Sequence, residues 1–176
     1  MNSANKGIDK AEITLKWDPS PAGAPDRDLD VIAAVYGADD PYGEPAYLVH
    51  FGSRSPDGTI TLQRESRNGQ GFGADEVMML ELYRLAATYA RVVVGVAIQQ
   101  GGGRCVFGDV AGTRVAVRQG YQELESHDFR DVREATAAVV AEFVREDSGG
   151  WEYRRALRGF DADPESFTGL MGARPS

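Results

Sequence analysis

A single cysteine, Cys105, in 176 residues excludes an intramolecular disulfide and a cysteine-based zinc site. The two histidines, His50 and His127, have no partner histidine at metal-ligand spacing. The longest strongly apolar run, Val92 to Ile98, falls far short of the roughly 20 residues a spanning helix needs, so membrane insertion is not expected. The opening residues Met-Asn-Ser-Ala-Asn-Lys lack the apolar stretch of a signal peptide, which makes the cytoplasm the expected compartment. Basic residues are also short: 19 Lys and Arg stand against 27 Asp and Glu, for a net charge of −8. Nucleic-acid binders show basic patches, so nucleic acid is not an expected partner.

Catalytic signatures are missing too. No G-x-S-x-G elbow occurs. Gly69-x-Gly71-x-Gly73 lacks the Lys-Ser/Thr pair of a phosphate-binding loop and its strand-to-helix setting. Ser126-His127-Asp128 has the residue types of a triad, but side chains adjacent in sequence do not stack into a relay. Cys105, flanked by Val106 and Phe107, reads as an inert buried thiol. An enzyme is not expected.

What the chain does have is an acidic, glycine-punctuated loop, Glu65-Ser-Arg-Asn-Gly-Gln-Gly-Phe-Gly-Ala-Asp-Glu76. It offers three carboxylates (Glu65, Asp75, Glu76), the amide of Asn68, and backbone carbonyls made approachable by Gly69, Gly71 and Gly73. Carboxylate, amide and carbonyl oxygens are the donors that surround Ca²⁺, six to eight at a time. A solvated surface loop has the same composition, and both readings stand at this point. Upstream, Asp26, Asp28 and Asp30 recur at spacing two, so an extended backbone puts them on one side. A cation would relieve their mutual repulsion; turn-capping aspartates are the plain alternative. The run is not an EF-hand: counting Asp26 as the first position, the sixth is Val31 rather than Gly and the twelfth is Gly37 rather than Glu.

Length and composition, with 42% apolar and 26% charged residues, predict one soluble globular domain over 11–176 behind a polar, frayed stretch at 1–10. Ile13, Leu15 and Trp17 alternate with polar neighbours, a half-buried strand. Further strands are expected at Val31–Tyr36, Tyr47–Phe51, Thr59–Gln63, Glu76–Leu82, Arg91–Gln99 and Thr113–Arg118, with a weaker one at Tyr121–Glu125. Ser55-Pro-Asp-Gly58 reads as the tight turn of a hairpin joining the third and fourth. Tyr83–Ala90 suits a short helix or turn, and Glu134–Arg145 is compatible with helix or strand. Asp163-Pro164 opens a short C-terminal helix as N-cap and first residue. Nine or ten short strands with turn signals about every ten residues predict an all-β fold, a two-sheet antiparallel β-sandwich with short helical turns.

Two motifs in register give a family resemblance. Ser55-Pro-Asp-Gly-Thr, followed by the loop ending Gly73-Ala-Asp-Glu76, resembles the TerD family of tellurite-resistance and stress proteins. That family typically reads S-P-D-G-S/A-V/I and then G-D-N-x-T/S-G-x-G-x-G-D-D-E. Asp26-Arg-Asp-Leu-Asp30 resembles its D-x-D-L-D. The resemblance spans about Ile13 to Leu170 and implies a Ca²⁺-binding β-sandwich in which Glu134–Arg145 pairs as a hairpin with Trp151–Leu157. Asp28, Asp30, Glu65, Asn68, Asp75 and Glu76 are then expected to converge, with carbonyls near Gly69 and Gly71 completing the shell and Asp26 as a possible further ligand. The family's G-D is Arg64-Glu65 here, one acid of its G-D-D-E is Ala74, and a usual asparagine pair is Phe51-Gly52. At least two oxygen ligands are therefore missing, and one site, or a weakened one, is expected in place of the family's pair. The implied function is cytosolic calcium binding in a stress-response assembly with other proteins. The alternative is a non-enzymatic protein-interaction module whose metal site is degenerate or empty.

Overall fold

A computed structural model describes residues 7–66, 68–70, 73–101 and 103–174. Among them are ten strands: β1 Ala11–Lys16, β2 Leu29–Gly37, β3 Tyr47–Val49, β4 Ile60–Arg64, β5 Glu76–Leu80, β6 Tyr89–Ile98, β7 Arg114–Gln119, β8 Gln122–His127, β9 Ala137–Arg145 and β10 Trp151–Phe160, followed by helix α1, Pro164–Leu170. They form two five-stranded sheets, β4-β5-β1-β7-β8 and β10-β9-β6-β2-β3, with every pairing antiparallel. This is the expected two-sheet sandwich.

Period-two patterning explains the packing. In β1, Ala11, Ile13 and Leu15 are buried while Glu12, Thr14 and Lys16 lie between buried and exposed. The inward residues of both sheets make one core, including Ile13, Leu15, Trp17, Val31, Val94, Val117 and Phe143. The second sheet is buried on its outer face as well. Ile32, Ala34, Tyr36, Val93, Ala97 and Val139 pack there against Phe167 and Met171 at the C-terminal end of the chain. That second layer is why β2, β6 and β9 are apolar at consecutive positions rather than at alternate ones.

The helix-or-strand ambiguity of Glu134–Arg145 resolves as β9, paired with both β6 and β10. Its valines and Phe143 fit a pleat covered on two sides better than a helix with only one buried stripe. Tyr83–Ala90 contains only a 3-10 turn at Leu82–Arg84 before β6 begins. One expectation fails: Ser55–Gly58 does not close a hairpin. β3 pairs with β2 and β4 pairs with β5, so the turn carries the chain from one sheet to the other. Asp57 fastens it by accepting from Ser55 Oγ, Thr59 Oγ1 and Thr59 N, with Gly58 at φ 72°. Within the stretch expected to fray, Ile8 is buried and donates its N–H to Trp151 O at 2.8 Å.

The C-terminal segment is held at two points. Asp163 caps α1 by accepting from Ser166 N at 2.7 Å, with Pro164 as the first helical residue. Beyond α1, the Gly172 carbonyl accepts from Arg91, whose buried guanidinium also pairs with Glu142 at 2.6 Å and lies over the Tyr36 and Tyr42 rings. Under the helix, Gly95 leaves room for Phe167: a Cβ there would stand 2.5 Å from Phe167 Cζ. Gly95→Ala should therefore push α1 from the sheet and cost about 1–3 kcal/mol through overpacking. Urea unfolding checks this; an unchanged midpoint would show that the helix does not rest on that contact.

Candidate metal centre

The acidic residues meet at one edge of the sandwich because β3 is short. β3 pairs only with Ala33, Ala34 and Val35, so the start of β2, though paired with β6 on one side, has no strand on its β3 side among the described residues. The N–H of Val31 would be left open. Glu76, the first residue of β5 in the opposite sheet, reaches across and accepts it through Oε1 at 2.8 Å. Asp28, just before β2, and Asp30, its second residue, stand at spacing two and come to the same place. Carboxylate oxygens of Asp28, Asp30 and Glu76 lie within 4.8 Å of one another. Asp30 and Glu76 are buried and Asp28 is partly so.

Other contacts fix these groups. Gln99 Nε2 donates to Asp30 Oδ2 at 2.7 Å, and Gln99 N donates to the Asp28 carbonyl at 2.8 Å. Asp75 is fully buried beside Glu76, accepting from Trp17 N at 2.8 Å through Oδ2 while its own N–H donates to Leu15 O. Trp17 Nε1 donates to Arg27 O at 2.9 Å, tying β1 to the residue before Asp28. Gly69, at φ 77°, lies flat on that indole: a Cβ there would stand 2.6 Å from Trp17 Nε1. Its glycine is required by close approach and by backbone conformation together.

The remaining predicted site residues lie differently. Glu65 is exposed and stands outside the three-residue group, though its charge reaches Glu76. Asn68 turns inward on the loop, where Oδ1 accepts from Gln70 N at 3.0 Å. Asp26 is exposed and is not part of the group. Gly71 lies outside the described residues. Sequence reading missed Trp17 and Gln99. Nothing in the local pattern marks either, since one reads as an ordinary core aromatic and the other as a polar residue at the end of a strand.

The electrostatics show what the cluster is suited to do. Burial, reinforced by the charges of Asp30, Asp28 and Glu65, pushes the Glu76 carboxyl up to about 9, against the opposing hydrogen bond from Val31. Glu76 Oε2 and Asp75 Oδ1 are buried without a hydrogen-bond partner among the described residues. Buried acceptors without donors are costly. A hard divalent cation supplies what both the charge and the orphaned oxygen lack, so Asp28, Asp30 and Glu76 fit such an ion. Cys105 offers no competing chemistry: it is buried, and burial raises its pKa.

The fold and this cluster define a class of protein, an antiparallel β-sandwich with a carboxylate-lined edge joining its two sheets. The chain belongs to the TerD family: a family model for the TerD domain matches residues 1–167. Among curated proteins, YceE of Bacillus subtilis is 29% identical over 166 residues, covering 91% of this chain and 86% of that protein. The tellurium resistance protein TerD of an Alcaligenes species is 26% identical over 169 residues, covering 93% and 88%. Among solved structures, the protein SAV2460, of unknown function, superposes with a TM-score of 0.95 at 54% identity over 97% of this chain and 100% of that one. SCO6318 of Streptomyces coelicolor, a TerD homologue, gives 0.94 at 53% identity over 96% and 100%.

The raised Glu76 carboxyl sets a pH dependence. Unfolded, it ionises near 4.5; folded and metal-free, it holds its proton to about 9. Between those values folding takes up a proton, so stability falls as pH rises. Chelator-treated protein should melt at progressively lower temperature between about pH 5 and pH 9. Glu76→Gln, which keeps an oxygen for Val31 N, should flatten most of that decline. Parallel melting curves for the two proteins would refute the assignment.

Proposed function

We propose that this TerD-family chain is a calcium-binding protein of a tellurite or stress response, acting by binding rather than by catalysis. The observation that carries the reading is the meeting of Asp28, Asp30 and Glu76 oxygens within 4.8 Å, where β2 of one sheet faces β5 of the other. The family relationship supports the response it serves, since relatives from Alcaligenes and Serratia marcescens are named for tellurium resistance. No helix among the described residues is long and apolar enough to cross a membrane. The reading is of a cytoplasmic protein whose partners are other proteins of the same response.

Binding would do two things. It would displace the Glu76 proton and turn the three acids into a cross-link between the sheets. It would also hold the Trp17–Arg27 contact and the Gly69 loop against a fixed edge, giving a partner a defined surface. Calcium suits the site better than magnesium. A ligand set drawn from a strand start and from a different sheet has no reason to form the strict octahedron Mg²⁺ requires, whereas Ca²⁺ accepts irregular shells.

A ligand that binds only the folded state stabilises it by about 2.7 kcal/mol at a hundred times its dissociation constant. Millimolar CaCl₂ should therefore raise the melting temperature of chelator-treated protein, and MgCl₂ should do so less. Asp30→Asn should remove most of the calcium shift. Asp161→Asn should keep it, since Asp161 is exposed and paired with Arg104. A wild-type melting temperature indifferent to calcium would leave the metal-free interaction module as the function.

A further inference from the structure

Next to the acidic edge, on the outer face of the second sheet, α1 covers only part of the strands. Between its first turn, the end of β3 and the loop after β6 lies a cleft of about 560 Å³. Its floor is apolar, formed by Ile32 of β2 and Leu48 of β3. Phe51, one of the few large apolar side chains left exposed, stands on its wall at 56% exposure. That volume lies within the range of small-molecule sites, roughly 300–1,000 Å³, and such sites combine apolar walls with a few placed polar groups.

The polar groups are of one sign. Asp30, Asp163 and Glu165 line the cleft, and none of the described residues lining it is Lys or Arg. One N–H of Gln99 Nε2 goes to Asp30 Oδ2 at 2.7 Å, which sets the other beside a carboxylate that would repel an anion. His50 adds no positive charge: burial lowers its pKa, and its Nδ1 accepts from Gly52 N at 3.1 Å. An apolar floor, an exposed aromatic ring and a carboxylate rim together recognise an apolar body bearing a positive charge, with the ring face contributing a cation–π contact.

We infer that the cleft between α1, β3 and the loop after β6 binds a small organic cation, an ammonium or guanidinium group carried on a compact aryl or alkyl body. The occupant is a free small molecule rather than a protein face, because a concave cleft of about 560 Å³ is of ligand size. Of its carboxylates, Asp163 and Glu165 are exposed and Asp30 is buried; a cationic head would lie against them with the apolar body over Ile32 and Leu48. This site shares Asp30 with the metal cluster, while Ile32, Leu48, Asp163 and Glu165 belong to the cleft alone, so its occupancy does not require a bound metal.

The test follows the Ile32 and Leu48 methyl resonances of chelator-treated protein during titration with benzylammonium chloride, benzyl alcohol and sodium benzoate. The three probes share one ring and differ in charge. Benzylammonium should give saturable shifts of both methyls, at a dissociation constant roughly tenfold lower than that of benzyl alcohol, and benzoate should give none. Glu165→Gln, a change at an exposed position, should weaken benzylammonium roughly twofold to fivefold without altering the fold. No saturable shift with benzylammonium, equal binding of the alcohol or benzoate, or an unaltered constant in the Glu165 variant would overturn the assignment. Working in chelator separates this outcome from calcium binding, which the melting experiment reads on its own.

Discussion

The hydrogen bond from Val31 N to Glu76 Oε1 joins the two sheets at the edge where the acidic residues meet. Its donor is free to make it because β3 is three residues long and stops before reaching the start of β2. A longer β3 would take that N–H into the sheet ladder and leave a glutamate buried with nothing to hold. Because β3 ends there, a carboxylate rooted in one sheet is drawn into the backbone of the other. Asp28 and Asp30 follow from the same strand start. An edge that would otherwise invite another chain to pair is thereby closed with charge.

That arrangement has an electrostatic cost. Three carboxyl groups within 4.8 Å of one another cannot all be ionised cheaply in a buried place, and Glu76 responds by keeping its proton. Among the described residues the relief of Glu76 is incomplete. Gln99 steadies Asp30 and Trp17 N steadies Asp75, but Glu76 Oε2 has no donor among the described residues. A core built for stability alone would place an apolar residue here. A site that trades a proton for a divalent ion has a reason to keep the acid, and the alternative of a proton-filled, metal-free edge uses the same residues.

Much of the sandwich was legible from period-two alternation and turn spacing, as in Ala11–Trp17, where each inward residue proved to be core. What local pattern does not carry is which sheet a strand joins. Ser55-Pro-Asp-Gly58 has the chemistry of a tight turn and makes one, but β3 and β4 on either side go to different sheets, a choice made by β2 and β5 far away in sequence. The site shows the same division. Asp28, Asp30 and Glu76 were legible as acids beside a strand start and a glycine loop. The placing of Glu65 outside the group and the roles of Trp17 and Gln99 depend on contacts far apart in sequence, while Asn68 closes a local turn onto Gln70. Gly69 was legible as a glycine that mattered, for a different reason: it lies against an indole.

The central claim is that an ion belongs between the sheets at Asp28, Asp30 and Glu76. The most direct measurement is a crystal structure of the protein grown with CaCl₂, using anomalous scattering to locate calcium. An anomalous peak within about 2.3–2.6 Å of oxygens from all three side chains is the predicted result. Calcium bound elsewhere on the surface, with these three carboxylates untouched, would contradict it.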